Sequence, residues 1–181
     1  MVRERHSGAL HYTECNEAPE MKTLVLGVGN PILCDDAAGI KAARGVSKQL
    51  NNPKVSVAET SAAGLSLLES IVGYDRVIII DTIQTRGGRA GQVYRMEPED
   101  FSSAKHFSSP HQINLFTALE LGKMLNLAMP KKVTIFAIEA KDITSFSERC
   151  TPEVERAIPE VVRTVLEELE LKARKNKNKP T

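Results

Sequence analysis

The chain has 181 residues, of which 41% are hydrophobic and 26% charged, with a formal net charge of +1. These values fit one globular domain, and the near-neutral charge, the lack of tryptophan and the 4% aromatic content argue against a nucleic-acid-binding protein. The three cysteines form no disulfide framework, and no apolar run is long enough to span a bilayer, so we expect a cytoplasmic protein without a membrane partner.

Composition divides the chain into three segments. Residues 1–20 lack both periodicity and the apolar core of a secretory signal, so they are predicted to be a flexible extension, with Met21 an alternative start of translation. Residues 21–170 are predicted to form a single α/β domain, and residues 171–181 a basic flexible tail. His11 and Cys15 are suitably spaced for a metal on a helix, but nothing nearby completes a site.

Strand-like and helix-like patterns alternate along the domain. Strands are predicted at 22–28, 55–59, 76–80, 91–96 and 133–138, and helices at 36–50, 64–72, 109–129 and 152–169. Residues 97–110 are predicted to be a loop. Residues 82–90 are too few for a parallel crossover, so strand 91–96 is predicted to be antiparallel and at an edge. The pattern therefore predicts a sandwich of helices around a mostly parallel sheet.

The first strand runs into GVGNPILCDDAAG, residues 27–39, which begins like a phosphate-binding loop at a helix start. Two adjacent carboxylates, Asp35 and Asp36, stand where a bound phosphate would lie. An aspartate at this place is favoured as a helix N-cap, which accounts for one of the two. The second is expected to point into the crevice at the edge of the sheet.

Two further ionisable side chains are predicted at the same edge. Asp81 ends the apolar strand 76–80, and His111 lies in the first turn of the helix that Ser109 begins. Ligands of open α/β sheets bind outside the carboxyl ends of the strands, so carboxylates and imidazole are expected to converge there. Such an O,O,N set suits nickel, zinc, manganese or iron. Taken singly, Asp81 could instead be a turn residue and His111 a solvent-exposed one.

Cys34 could be a small loop residue or a nucleophile paired with His111. The neighbouring carboxylates disfavour a thiolate, so we favour the loop residue. His106 and Cys150 are expected to have surface or packing roles.

These residues resemble the signatures of the [NiFe]-hydrogenase maturation endopeptidases. Gly27-Val28-Gly29-Asn30-Pro31-x-x-x-Asp35-Asp36-x-x-Gly39 is similar to the opening signature of the family, and Asp81 and Ser109-Pro110-His111 are similar to its two other marks, in the same order. The resemblance covers about residues 21–169. It implies a three-layer α/β sandwich around a mostly parallel five-stranded sheet.

The resemblance also implies an activity. Members of the family remove a C-terminal extension from the precursor of the hydrogenase large subunit after nickel insertion, and they are often classed as aspartic-type endopeptidases. By position, Asp36, Asp81 and His111 are the implied metal-binding and catalytic residues. The nickel is supplied by the precursor, and no permanently bound cofactor is expected. Either a carboxylate or the metal could activate the attacking water.

The chain departs from the family pattern at two places. Ala37 follows the acidic pair where glycine is common, and residues 59–64, ETSAAG, replace an Asp-Gly-Gly-Thr/Ser turn. That turn is expected to contact the substrate, so the departure affects which hydrogenase is processed. Two alternatives are a peptidyl-tRNA hydrolase-like esterase, which shares a Gly-x-Gly-Asn-Pro turn, and a non-enzymatic nickel-binding maturation factor.

Overall fold

A computed structural model describes residues 21–61, 65–103, 107–108 and 112–177 of the chain. The strands are β1 Thr23–Val28, β2 Val55–Thr60, β3 Arg76–Thr85, β4 Val93–Met96, β5 Phe107–Ser108 and β6 Lys132–Glu139. The helices are α1 Ala38–Gln49, α2 Leu65–Ile71, α3 Pro98–Ser103, α4 Gln112–Met124 and α5 Pro152–Lys177, and a short 3₁₀ helix, Cys34–Ala37, precedes α1.

Five strands form one twisted sheet in the order β2-β1-β3-β6-β4. The first four are mutually parallel, and β4 runs antiparallel to β6 at the edge. The short strand β5 pairs with the end of β3, at Gln84 and Thr85. The predicted mostly parallel sheet of about five strands, with one antiparallel edge strand, is confirmed.

Helices cover both faces of the sheet, because alternate residues of its apolar strands point to opposite sides. On one face α1 and α5 pack over a core that includes Val25, Ile78 and Ile80. On the other face α2 and α4 pack over a core that includes Leu24 and Ile79. The molecule is therefore a three-layer α/β sandwich, as predicted.

Two glycines let the start of α1 approach the ends of β1 and β3. A Cβ atom on Gly39 would collide with the carbonyl oxygens of Val28 and Ile80. Gly29 has a φ of +147°, and a Cβ there would collide with the carbonyl oxygen of Asp36. These contacts exclude a side chain at both glycines and hold the 3₁₀ helix against the carboxyl edge of the sheet.

Strand β3 extends further than the sequence predicts. Its pairing with β1 ends at Ile80, but Asp81, Thr82 and Ile83 continue to pair with β6. Asp81 therefore lies within the strand rather than after it. Asp81 nevertheless directly follows Ile80, the last residue of β3 that pairs with β1. It therefore still lies where the pairing of β1 with β3 ends, at the predicted edge of a crevice.

Two other predicted boundaries are wrong. Helix α3 and the short strand β5 both lie in the predicted loop 97–110. The carboxylate of Asp100 accepts a hydrogen bond from the Glu97 amide at 2.7 Å across the first turn of α3. Helix α4 ends at Met124 instead of continuing to residue 129. Asn126 follows with a φ of +52°, a left-handed conformation that ends helices.

The predicted terminal segments lie partly outside the described residues. Residues 1–20, including His11 and Cys15, lie outside the described residues, and α5 continues to Lys177 within the predicted tail. None of the helices in the described part of the chain is long and apolar enough to cross a membrane.

Candidate active site

Asp36 lies in the 3₁₀ helix at the carboxyl edge of the sheet, and its residue is only 4% exposed. Its Oδ2 accepts a hydrogen bond of 2.7 Å from the backbone amide of Asn30, in the glycine-rich turn. Its Oδ1 accepts a bond of 3.3 Å from the hydroxyl of Thr82 on β3. The carboxylate is thus fixed between the turn after β1 and the neighbouring strand.

Asp81 is also 4% exposed, and its Oδ1 accepts a hydrogen bond of 2.7 Å from the backbone amide of Thr82. Thr82 therefore donates to both predicted carboxylates, through its hydroxyl to Asp36 and through its amide to Asp81. The structure brings these two predicted site residues together at one edge, as the sequence predicts.

Thr82 is a site residue that the sequence reasoning missed. It is 1% exposed, which is unusual for a threonine unless its hydroxyl is hydrogen-bonded. Its place directly after the strand-end aspartate could have drawn attention to it. Its partner Asp36, however, is 46 residues away in sequence, so this hydrogen bond could not be predicted before the fold was known.

The third predicted ligand, His111, lies outside the described residues, as do His6, His11 and His106. Within residues 21–61, 65–103, 107–108 and 112–177, no three His, Cys, Asp or Glu side chains form a group that could hold a metal. The fold does locate the start of α4, at Gln112, directly after His111. The triad of Asp36, Asp81 and His111 therefore stays a prediction.

Asp35 has a different role from the predicted helix cap. The N-cap residues of the 3₁₀ helix and of α1 are Leu33 and Ala37, and neither makes a side-chain capping hydrogen bond. Asp35 is completely buried, and its carboxylate accepts hydrogen bonds from the amides of Lys141 and Asp142, both at 2.9 Å. It also accepts bonds from the amide and hydroxyl of Thr151, at 2.6 and 3.0 Å. Asp35 thus anchors both ends of the loop between β6 and α5.

The buried thiols are poorly suited to nucleophilic catalysis. Burial raises the pKa of the Cys34 thiol, and the charges of Asp35 and Asp142 raise it further. The Cys34 sulfur lies 3.4 Å from the carbonyl oxygen of Arg149. Burial likewise raises the pKa of Cys150 to about 11. Both thiols are in their neutral form near pH 7, which agrees with the preference against a nucleophilic Cys34. Cys34 lies at the start of the 3₁₀ helix rather than in a loop.

The site therefore offers two adjacent carboxylates at the carboxyl edge of a parallel sheet. Carboxylate oxygens bind divalent cations, and an ionised carboxylate can also accept a proton from water. Both side chains are held by hydrogen bonds from the backbone or from Thr82, so their positions are set before any ligand arrives. Metal-assisted or carboxylate-assisted hydrolysis is the chemistry that this arrangement supports.

Similar proteins point to the same chemistry. A family model described as hydrogenase maturation protease matches residues 40–168. The hydrogenase 2 maturation protease of Escherichia coli K12 is 28% identical over 148 residues, which cover 81% of this chain and 89% of that protein.

Solved structures agree with the sequence comparisons. The hydrogenase maturating endopeptidase HybD from E. coli superimposes with a TM-score of 0.72 and 28% identity, over 84% of this chain and 94% of that one. The [NiFe] hydrogenase maturation protease HybD from Thermococcus kodakarensis gives a TM-score of 0.67 and 26% identity, over 82% and 99%.

These matches favour a protease over the two alternatives, the peptidyl-tRNA hydrolase-like esterase and the non-enzymatic nickel-binding maturation factor. The matched segment includes Asp81 and begins four residues after Asp36. The chain belongs to the hydrogenase maturation protease family.

Proposed function

We propose that this protein is an endopeptidase that removes a C-terminal extension from the precursor of a nickel-iron hydrogenase large subunit after nickel insertion. In this proposal Asp36, Asp81 and His111 recognise the nickel carried by the precursor. The nickel belongs to the substrate, and the protein needs no metal of its own. The odd number of cysteines favours a reducing compartment, so we place the reaction in the cytoplasm.

The observation that carries the proposal is the pair of carboxylates joined through Thr82. Two ionised carboxylates that are nearly buried and close together repel each other, and a cation between them offsets that repulsion. The hydrogen bonds from Thr82 keep both side chains at the edge where an ion could bind. This arrangement supports a site that is completed by an ion brought by the partner.

Each residue has a defined task in the proposed reaction. Asp36 and Asp81 provide oxygen ligands, and neutral His111 provides a nitrogen ligand, so that the three hold the precursor at its nickel. Holding the precursor there positions its scissile peptide next to a water molecule. Either an aspartate accepts the proton of that water or the metal lowers its pKa. The water oxygen attacks the carbonyl carbon of the scissile peptide, the C–N bond breaks, and the proton taken from the water passes to the amine of the departing C-terminal extension.

The proposal is tested by incubating the full-length protein with the hydrogenase large-subunit precursor of the same organism, prepared with and without nickel. Mass spectrometry measures the length of the precursor C-terminus. We expect C-terminal shortening of the nickel-loaded precursor and an unchanged nickel-free precursor. An unprocessed nickel-loaded precursor would argue against the protease, and equal processing of both samples would argue against recognition of the nickel.

A further inference from the structure

A small two-stranded rim lies beside the paired carboxylates. It consists of residues 31–33, in the turn after β1, and residues 146–147, in the loop between β6 and α5. Leu33 and Phe146 form an antiparallel bridge, and the amide of Ser147 donates to the carbonyl oxygen of Ile32 at 3.0 Å. Each strand of the rim presents one large apolar side chain to solvent, Ile32 at 52% and Phe146 at 83% exposure.

The rim is continuous with the site through hydrogen bonds. The amide of Ile32 donates to the side-chain oxygen of Asn30 at 3.2 Å, and the amide of Asn30 donates to Asp36 at 2.7 Å. A polypeptide held against Asp36 and extending toward this side therefore meets the rim within a few residues.

The strand of the rim that carries Phe146 is fixed before any partner binds. Asp142 accepts hydrogen bonds from the amides of Ser145 and Thr144, at 2.9 and 3.0 Å, and from the Thr144 hydroxyl at 3.2 Å. The bonds from Ser145 and Thr144 hold the pKa of Asp142 well below its usual range. Asp35 in turn accepts from the amides at the start of the loop. Phe146 is thus exposed on a braced loop, so little ordering entropy opposes its contact with a partner.

A groove of ≈ 300 Å³ lies between the rim and α1. Its lining includes the apolar residues Pro31, Ile32 and Ile40 and the charged residues Lys41, Arg44 and Glu148. Lys41 pairs with Glu155 at 3.1 Å, and Arg44 donates two bonds of 2.9 Å to Glu59. Because its two cations are already paired and its third charged residue, Glu148, is an acid, the groove is suited to an uncharged, apolar segment rather than to an anion.

We propose that the rim and its groove are the docking surface for the polypeptide segment of the precursor that flanks the scissile bond, and that they take an apolar side chain of that segment. This inference rests on the proposed function. Exposed apolar side chains at a rigid edge next to a site are typical of protein contacts, and burying one on binding contributes to affinity. The two cations that line the groove, Lys41 and Arg44, are paired with Glu155 and Glu59, which lie outside its lining.

The test measures the Kd of the full-length protein for the nickel-free precursor, which isolates the polypeptide contact from the contact with nickel. We expect Phe146→Ala and Ile32→Ser each to raise the Kd about tenfold, because each removes an apolar side chain that is buried on binding. Met124→Ala is the matched control, since Met124 is 78% exposed at the end of α4, outside the rim. It should leave the Kd unchanged.

Thermal unfolding of the three variants should match that of the parent protein, since all three side chains are largely exposed. A Kd unchanged by both rim substitutions, or no binding of the nickel-free precursor by the parent, would overturn the docking surface. Cleavage of the nickel-loaded precursor is scored separately. If the rim substitutions raise the Kd but no cleavage occurs, the docking surface is supported and the protease is rejected. If cleavage occurs but the rim substitutions leave the Kd unchanged, the protease is supported and the docking surface is rejected.

Discussion

The two adjacent aspartates of the opening signature have separate roles. Asp35 is fully buried and accepts hydrogen bonds from the loop between β6 and α5, whereas Asp36 is held between Asn30 and Thr82 at the edge of the sheet. One carboxylate stabilises the fold around the site, and the other is part of the site. Thr82 completes the arrangement, because its two donors reach Asp36 and Asp81.

Thr82 is predicted to be a positioning residue for Asp36. Thr82→Val keeps the shape of the side chain and the amide that donates to Asp81, but removes the hydroxyl that donates to Asp36. A hydrogen bond to a charged group contributes about 1.5–3 kcal/mol, so kcat/KM for precursor processing should fall roughly ten- to hundredfold. Thr82→Ser restores a hydroxyl and should recover most of the activity. Equal activity of the valine and serine variants would contradict this role.

At the scale of elements, the 3₁₀ helix and the loop between β6 and α5 form one unit. The Asp35 carboxylate receives bonds from residues 141, 142 and 151, and the Asp35 amide donates to the Asp142 carbonyl oxygen at 2.9 Å. The bridge between Leu33 and Phe146 lies within the same unit. The position of the rim and that of the site are therefore coupled through Asp35.

Loss of the Asp35 carboxylate should destabilise the protein. Asp35→Ala leaves three backbone amides and the Thr151 hydroxyl without their buried acceptor, and we expect a loss of about 3–5 kcal/mol in the free energy of unfolding. Urea denaturation measures this loss. Of the hydrogen bonds described above, Asp36 accepts two and Asp35 four, so Asp36→Ala should cost clearly less stability. Equal stability losses for the two variants would contradict the division of roles between the aspartates.

Strands and helices that depend on the local residue pattern are predicted well from the sequence. Features that depend on contacts between distant residues are predicted poorly. The apolar runs of β1, β3 and β6 and the short connection to β4 were sufficient to predict the sheet. The extension of β3 beyond Ile80 depends on pairing with β6, and the role of Asp35 depends on donors more than 100 residues away. Helix α3 was missed although Pro98 and Asp100 are favourable at a helix start.

At the scale of the whole molecule, the two ends of the sheet differ in character. The carboxyl edge carries Asp36, Asp81 and the rim. At the opposite end Arg76, at the start of β3, is buried and pairs with Glu168 of α5 at 2.8 Å. Burial lowers the pKa of Arg76, while Glu168 opposes that effect. Open α/β sheets usually bind ligands at the carboxyl ends of their strands. The paired carboxylates lie at that end, and the structural ion pair lies at the other.

The most direct test of the central claim measures the rate at which variants process the nickel-loaded precursor. Asp36→Asn, Asp81→Asn and His111→Ala should each lower the rate by about 10²–10⁴-fold or abolish processing, while the fold stays intact. Asp75→Asn, at the opposite end of the sheet, and His106→Ala are matched controls that should process normally. Normal processing by Asp36→Asn or His111→Ala would contradict the proposal that these residues recognise the nickel.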